Sequence, residues 1–159
     1  MSEETVRVEL FTGDRRDIAW SFRLAEDSEE KLREYIDQGR VWVALGTDGE
    51  VLGHLQAVSD RDGTSWEVLN TAVAEHRQGT GIGTRLLERV CREARQAGAR
   101  RIELATATAD IGNLRFYQRR GFRVSRVVRD AFGPDTGYPE PILIDGIPLR
   151  DQIWFDREL

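Results

Sequence analysis

The chain has 159 residues, of which 40% are hydrophobic and 32% charged, and this balance is typical of a folded globular domain. A net charge of -5 and a pI near 5.2 argue against a nucleic-acid partner, because phosphate binding needs clustered Lys and Arg. The single cysteine, Cys91, excludes an internal disulfide and a cysteine-based zinc cluster.

The start of the chain and its apolar runs give an expectation about location. The first ten residues have neither the basic nor the apolar region of a secretory leader, and no apolar run is long enough to span a membrane. We therefore expect a cytoplasmic protein without a membrane partner. His54 and His76 lie far apart and outside any metal-ligand pattern, so no metal site is expected.

The first half of the chain alternates between strand and helix patterns. Apolar residues at helical spacing predict a helix over residues 14–25 and a second one that Ser28 caps and Gly39 ends. Asp-Gly turns at 48–49 and 62–63 connect a meander of three strands. The alternation of apolar and polar residues places the strands of this half at residues 6–10, 41–45, 51–58 and 66–73.

In the second half, an apolar stripe predicts a long helix from Ile82 to Gly98, on which Cys91 is expected to be a packed small residue. A shorter helix is predicted over residues 113–120, after a loop of small residues at 106–112. The remaining strands are predicted at residues 102–105, 122–128, 142–144 and 149–155, the last two flanking an Asp145-Gly146 turn. This order predicts one α/β (α+β) domain, residues 1–159, with a mixed central sheet of about seven strands and about four helices on both faces.

A glycine-rich loop, Gln78-Gly79-Thr80-Gly81-Ile82-Gly83-Thr84, lies between a predicted strand and the long helix. Free N–H groups and the positive dipole end at a helix start favour a phosphate or diphosphate. The loop lacks the Lys of a Walker A motif and the G-x-G-x-x-G spacing of a dinucleotide site. A flexible glycine loop without a ligand stays open on this motif alone.

The pattern Q/R-x-x-G-x-G/A at Gln78, Gly81 and Gly83 resembles the coenzyme A diphosphate loop of the GNAT acetyltransferase superfamily. About thirty residues later, Phe116-Tyr117 and Gly121-Phe122 resemble the superfamily's second motif, N-x-x-A-x-x-F/L-Y-x-x-x-G-F. Two departures occur, since Asp110 stands where Asn is usual and Asn113 where Ala is usual. The resemblance covers most of the chain from Val41 onward.

The resemblance implies an N-acetyltransferase that moves the acetyl group of acetyl-CoA directly onto a primary amine of a small molecule or peptide. It implies that the sheet splays between strands 66–73 and 102–105, with coenzyme A in the gap and an amide near Val73 as an oxyanion donor. The residues expected to contact coenzyme A are Leu69, Thr71, Ala72, Val73, Gln78, Gly79, Thr80, Gly81, Ile82, Gly83, Thr84, Asn113 and Phe116.

Two side chains are expected to handle protons. Tyr117 matches the superfamily tyrosine that faces the sulfur and can protonate the leaving thiolate, although a packed core tyrosine explains it as well. Glu67 is the candidate general base, with Glu75 and His76 as alternatives. Strand alternation predicts that Glu67 shares a face with apolar residues, which would raise its pKa, and that Asn70 lies on the opposite face.

The acceptor side and the assembly state stay open. In this fold the acceptor usually lies against the first two helices, where aromatic and acidic residues suit a cationic amine. A role of the aromatic residues in the core and of the acidic ones on a solvated helix face explains them better. These residues are Trp20, Phe22, Tyr35, Glu26, Asp27, Glu29 and Glu30. Three other readings keep the fold: another acyl donor, acetylation of protein N-termini or lysines, and a non-catalytic acyl-CoA sensor. The C-terminal strands can pair between chains, so a monomer or a homodimer is expected.

Overall fold

The computed structural model describes residues 5–159, which form nine strands and four α-helices. Residues 1–4, on which the expectation about a leader partly rests, lie outside the described residues. The helices are α1 (Ala19–Arg23), α2 (Glu29–Tyr35), α3 (Ile82–Gln96) and α4 (Ile111–Arg119). The strands are β1 (Arg7–Leu10), β2 (Arg40–Leu45), β3 (Val51–Ser59), β4 (Ser65–Val73), β5 (Arg101–Ala107), β6 (Arg123–Val128), β7 (Leu143–Ile144), β8 (Ile147–Pro148) and β9 (Gln152–Glu158).

Seven of these strands form one mixed sheet in the order β1-β2-β3-β4-β5-β9-β6. Every neighbouring pair is antiparallel except β4 and β5, which run parallel. Parallel neighbours need a crossover connection, and α3 supplies it. The predicted mixed sheet of about seven strands with four helices is therefore confirmed.

The core has two parts, one on each face of the sheet. On the first face the apolar stripe of α3 packs with Tyr117 of α4 against β3, β4, β5 and β9, where Leu55, Leu104 and Phe155 are almost fully buried. On the other face α1 and α2 pack on β2, β3 and β4, with Phe22 and neighbouring apolar side chains in the contact with β2. Helices therefore lie on both faces, but the two short ones cover only the half of their face near β2.

The predicted helix over residues 14–25 is wrong in length. Asp14 accepts a hydrogen bond from the Arg16 amide and begins a 3-10 turn over Arg15–Ile18, and only Ala19–Arg23 is α-helical. The Arg15 guanidinium donates to three carbonyl oxygens at the end of α2, including that of Gly39 at 2.7 Å. These bonds fix the chain before α1 in a position that a continuous helix would not allow.

The C-terminal strands also differ from the prediction. Residues 142–144 and 149–155 were expected to close the sheet, but β7 and β8 form a separate two-stranded ribbon around the Asp145-Gly146 turn. The closing strand is β9, which inserts between β5 and β6. The short helix begins at Ile111 rather than at residue 113, because the Asp110 side chain accepts from the Asn113 amide and caps it.

A buried polar chain ties α1 to the sheet. His54 on β3 is fully buried, stacks on Phe22 at a centroid distance of 4.0 Å, and is hydrogen-bonded to Ser21 and to Asn70, the latter at 2.8 Å. Asn70 also donates to the Phe22 carbonyl at 3.1 Å, so it satisfies a buried backbone group of α1. Burial lowers the pKa of His54 to about 3, so the ring is neutral.

This burial predicts an acid-linked loss of stability. An unfolded histidine has a pKa near 6.5, so between about pH 6.5 and 3 the unfolded chain binds a proton that folded His54 does not. The free energy of unfolding should then fall by up to about 1.4 kcal/mol per pH unit on acidification, beyond the contribution of carboxylates.

Urea denaturation at several pH values tests this. His54→Gln should be less stable at pH 7 but should have a shallower pH slope between 4 and 6. The control His76→Gln changes an exposed ring and should keep the wild-type slope. Parallel curves for wild type and His54→Gln would contradict the expectation.

Candidate active site

The strands β4 and β5 pair only at their beginnings. Their register runs from Ser65 opposite Arg101 to Val68 opposite Leu104, and no pairing follows. Beyond this point β4 stays paired with β3 as far as Val73, while β5 stays paired with β9. Residues 69–73 of β4 therefore have an edge without a neighbouring strand, as the predicted splay requires.

A β-bulge lies at the start of this open edge. Gln56 on β3 lies opposite Asn70 and Ala57 opposite Val68, so Leu69 is the extra residue. The bulge reverses the alternation of side chains, and the predicted faces are therefore wrong. Val68 packs in the core against α3, so Glu67 points to the α1 and α2 face, which it shares with Asn70 rather than with Thr71 and Val73.

Two backbone units of β4 face the open edge. The Ala74 amide donates to the Leu52 carbonyl at 2.8 Å. In an antiparallel pair every second residue directs its N–H and C=O to the partner strand, so Ala72 also directs its backbone groups to β3. The backbone groups of Thr71 and Val73 then point into the gap. The Gln78 side chain donates to the Val73 carbonyl at 3.1 Å, which anchors the glycine-rich loop at this edge.

The glycine-rich loop places the start of α3 beside the open edge. Gly79 and Gly81 have φ values of 76° and 89°, which favour glycine, and Gly81 is the N-cap. The Thr80 hydroxyl donates to the Arg77 carbonyl at 2.6 Å. No side chain caps α3, and its first turn holds no acidic residue, so the first-turn amides, those of Ile82, Gly83 and Thr84, remain available to an anion.

Phe116 connects the loop with α4. Its ring and a Val73 methyl group both lie 3.6–3.9 Å from where a side chain at Gly83 would begin. The end of β4, the start of α3 and α4 therefore meet at one place. Asn113, one turn earlier, donates to Thr106 at 3.1 Å and to the Asp110 carboxylate at 2.9 Å, so its amide nitrogen has protein partners.

Tyr117 lies inside the core on α4 and is 6% exposed. Its ring packs edge-on against Phe116 and Phe122, with centroids 5.2 and 5.7 Å away. Its hydroxyl makes no hydrogen bond with any residue between 5 and 159. A buried phenol with a purely structural role would be expected to make one. Burial raises the pKa of Tyr117 above its ordinary value, so the phenol is protonated and able to donate.

Glu67 lies two residues before the bulge, at the base of the gap. Its partner across the parallel pair is Glu103 on β5. Burial raises the pKa of the half-buried Glu67 carboxyl, the nearby charge of Glu103 raises it further, and the charge of Arg126 opposes both. The expected direction of this pKa shift is confirmed, although like charge contributes in addition to desolvation.

The loop over residues 129–151 and the α1–α2 connection meet on this face. The Glu26 carboxylate accepts hydrogen bonds from Tyr35 at 3.0 Å and from Tyr138 at 2.6 Å. Tyr35 also accepts from Asn70 at 2.9 Å, which links this contact to β4. The structure thus brings Glu26 and Tyr35 to the face of the sheet on which the acceptor is expected.

The other residues of the expected acceptor region have ordinary structural roles. Phe22 is a fully buried core residue. Glu29 pairs with Arg23 at 2.7 Å on the surface, and Trp20 is 41% exposed.

Sequence reasoning missed three residues of this face, namely Glu103, Arg126 and Tyr138. Glu103 lies beside Glu67 because β4 and β5 pair in parallel, and Arg126 lies on the same face of the sheet two strands farther on, on β6. Tyr138 reaches Glu26 across 112 residues of sequence. No local pattern carries that information.

Two negative findings concern other chemistry. Within residues 5–159 no group of three or more His, Cys, Asp or Glu side chains has an arrangement that can hold a metal ion. None of the helices in this range combines the length and apolar character that a membrane crossing requires. Cys91 is buried on the packed stripe of α3, and burial raises the pKa of its thiol to about 11, so the sulfur is unsuited to nucleophilic chemistry.

Comparison with known proteins identifies the family. Residues 10–122 match the family model for the acetyltransferase (GNAT) family. The chain is also 31% identical over 153 residues to the uncharacterized N-acetyltransferase YvbK of Bacillus subtilis (strain 168), covering 96% of each protein. The chain belongs to the GNAT acetyltransferase family.

Solved structures of GNAT proteins share the fold over almost the whole chain. The IAA acetyltransferase from Bacillus cereus ATCC 14579 has a TM-score of 0.86 and 33% identity, covering 98% of this chain and 100% of that one. A GNAT family acetyltransferase from Elizabethkingia anophelis with acetyl-CoA bound has a TM-score of 0.84 and 29% identity, covering 97% and 98%.

The two glycines of the loop give a matched stability test. At Gly81 the positive φ should make Gly81→Ala less stable by about 1 kcal/mol. Gly83 is in the helix, where an added methyl group meets only ordinary contacts, so Gly83→Ala should be neutral or stabilising by up to about 1 kcal/mol. Chemical denaturation measures both, and a Gly81→Ala variant as stable as Gly83→Ala would show that the loop has another conformation.

Proposed function

We propose that this GNAT protein is an N-acetyltransferase that moves the acetyl group of acetyl-CoA directly onto a primary amine of a small molecule or peptide. The observation that carries the proposal is the open edge of β4 over residues 69–73, which leads at one end to the uncapped amides of α3 and at the other to Glu67. The α3 amides match a diphosphate, the open edge of β4 matches an extended arm that contains amides, and Glu67 matches a reacting amine.

The residues of the gap fit acetyl-CoA by their chemistry. The free amides at Ile82, Gly83 and Thr84 favour the diphosphate, and Gly79, Thr80 and Gly81 offer backbone close to it. The backbone of Thr71 and Val73 can pair with the amides of the pantetheine arm as an added strand would. The gap around these groups is also shaped by Leu69, Ala72, Gln78, Asn113 and Phe116. Ala72 contributes only its side chain, because its backbone groups point to β3.

Bound acetyl-CoA supplies an activated acetyl group as a thioester. The direction of β4 indicates which backbone amide lies near the acetyl oxygen. With the diphosphate at α3 and about 3.3 Å of rise per strand residue, the reactive end of the arm lies nearer to the bulge at Leu69 than to Val73. We therefore move the expected oxyanion donor from Val73 to the amides beside the bulge, which is also nearer to Glu67.

Glu67 removes the proton of the attacking amine. A free alkyl ammonium has a pKa near 10.4 and cannot attack, so a neighbouring base must accept its proton. Glu67 suits this task because burial and Glu103 raise the pKa of its carboxyl. Its position at the base of the gap, on the side opposite α3, lets the amine approach from the face that the α1–α2 connection and the 129–151 loop border.

Tyr117 supplies the proton that the leaving sulfur needs. A tyrosine is already protonated at neutral pH, and burial raises the pKa of Tyr117 further, so its hydroxyl holds a proton. That hydroxyl has no protein partner among the described residues. A phenylalanine at this position would fill the same space but could not donate. The two proton transfers thus take place at two different atoms, the Glu67 carboxylate and the Tyr117 hydroxyl, on opposite faces of the sheet.

Substitution of the two proton-handling residues tests the proposal. Tyr117→Phe and Glu67→Gln should each lower kcat by about 100-fold or more, because proton transfer by a positioned side chain typically contributes that much. Acetyl-CoA affinity, measured by titration calorimetry, should be unchanged. Tyr117→Phe should also keep the wild-type free energy of unfolding, since the hydroxyl makes no hydrogen bond with the rest of the described chain.

The matched controls are Glu75→Gln and His76→Gln, which change the exposed alternative bases beside the loop and should stay active. Wild-type rates in Tyr117→Phe or Glu67→Gln would remove the assigned role of that residue. Acetyl-CoA binding without transfer to any amine in a broad panel would favour a sensor, and transfer only to peptides or protein lysines would favour a protein acetyltransferase.

The rate should also depend on pH through Glu67. Because its pKa is raised above the ordinary 4.5, the active carboxylate is lost as the pH falls, and the acid limb of kcat should have its midpoint above that value. Glu67→Gln should lose this limb while it keeps the dependence that comes from the amine itself. An acid limb that persists unchanged in Glu67→Gln would assign the base to another residue.

A further inference from the structure

Arg126 on β6 occupies an unusual place on the acceptor side. It lies opposite Trp154 on β9, and Trp154 lies opposite Ala105 on β5. These three residues form the row of the sheet next to the one that holds Glu67 and Glu103. We call the surface formed by Glu67, Glu103, Ala105, Trp154 and Arg126 the acceptor groove.

The Arg126 guanidinium lies over the Trp154 ring, with its central carbon 4.3 Å from the ring centroid. Stacking of this kind holds the planar group in one orientation along the sheet. Its charge reaches as far as Glu67, on whose carboxyl it acts, although two strands separate β6 from β4. The Arg126 side chain therefore extends over the groove rather than away from the sheet.

Arg126 has no ion-pair partner among residues 5–159. By contrast, Arg101 on β5 pairs with Glu103 at 2.8 Å, and Arg150 in the 129–151 loop pairs with Asp130 at 2.7 Å. Ala105, whose side chain is a single methyl group, lies in the same row between Trp154 and the open edge of β4. An unpaired cation stacked on Trp154 thus lies on the same face of the sheet as the carboxylates of Glu67 and Glu103.

We propose that Arg126 binds a carboxylate of the acceptor, so that the substrates are primary amines that also carry a carboxylate group, as amino acids do. This inference rests on the proposed function. A guanidinium binds a carboxylate through paired hydrogen bonds. The amine then lies at Glu67 and the carboxylate at Arg126, so the groove matches the acceptor in charge at both ends.

The separation of the two ends limits the acceptor's length. Three strand spacings separate β4 from β6, about 14 Å between backbones, and the Arg126 side chain crosses part of this distance. The part of this distance that the Arg126 side chain does not cross suits short amino acids. A side chain of the acceptor can project toward the 129–151 loop. Tyr138 and Glu26, which join that loop to the α1–α2 connection, border the groove on this side.

Matched acceptors test the inference. Each of 4-aminobutyrate, 5-aminovalerate, L-methionine and L-phenylalanine is compared with its carboxamide at equal concentrations of unprotonated amine. With wild type, at least one acid should exceed its amide in kcat/KM by about tenfold or more, mainly through KM. Arg126→Gln should reduce that ratio to within about threefold, and Arg126→Lys should fall between the two.

The control is Arg123→Gln, which removes the same charge from the same strand at a position opposite Asp156 and should keep the wild-type ratio. If Arg126 acts only on the charge state of Glu67, Arg126→Gln will move the pH profile and leave the ratio intact, and the inference is then wrong. Amides that match or exceed their acids with wild type would overturn it as well.

A binding measurement separates this inference from the proposed function. The same amino acids are titrated into CoA-saturated protein, and the Trp154 indole resonance is followed by NMR, with Trp154→Phe for assignment. The acids should shift it in wild type and Arg123→Gln but not in Arg126→Gln. A shift without acetyl transfer would sink the proposed function alone, and transfer to amines without any such shift would sink only the role of Arg126.

Discussion

The parting of β4 from β5 after Val68 is the constraint on which the rest of the molecule depends. A sheet satisfies backbone N–H and C=O groups by pairing strands, and a strand that loses its neighbour exposes a row of them. Here the row over residues 69–73 opens directly toward the uncapped amides of α3. A ligand that carries amides along its length and a diphosphate at one end satisfies both sets of groups at once.

The bulge at Leu69 sets which chemistry lies on each face of this gap. It turns Glu67 and Asn70 to the side of α1 and α2, while Thr71 and Val73 stay on the side of α3 and α4. On the first side Asn70 joins His54 and Tyr35 in a buried network that holds the short helices in place. On the second side Tyr117 approaches from the core. In the proposed mechanism the base, Glu67, and the acid, Tyr117, thereby reach the gap from opposite faces of the sheet.

Much of this arrangement could be predicted from the sequence because it depends on local patterns. The glycine spacing from Gln78 to Gly83 located the start of α3, and hydrophobic alternation located the strands as far as β6. The bulge could not be predicted in this way, since an extra residue in β4 leaves the pattern of Trp66, Val68 and the following residues almost unchanged. Assuming perfect alternation placed Asn70 and Glu67 on opposite faces, which is wrong.

The remainder depended on long-range packing. The insertion of β9 between β5 and β6 brings Trp154 beneath Arg126, and the 129–151 loop brings Tyr138 to Glu26. Neither contact follows from a local preference, because each joins segments whose own sequences fit several positions in a sheet or loop. For this reason the face of the sheet on which the acceptor is expected could not be predicted from the sequence and is known only from the structure.

Hydrogen–deuterium exchange with and without acetyl-CoA tests the central claim most directly, because it reports on backbone amides. The account predicts that acetyl-CoA slows exchange at Thr71 and Val73 on the open edge of β4 and at Ile82, Gly83 and Thr84 at the start of α3, while the amide of Ala72, already bonded to β3, changes little. Unchanged exchange at both segments under saturating acetyl-CoA, or protection confined to another part of the sheet, would contradict it.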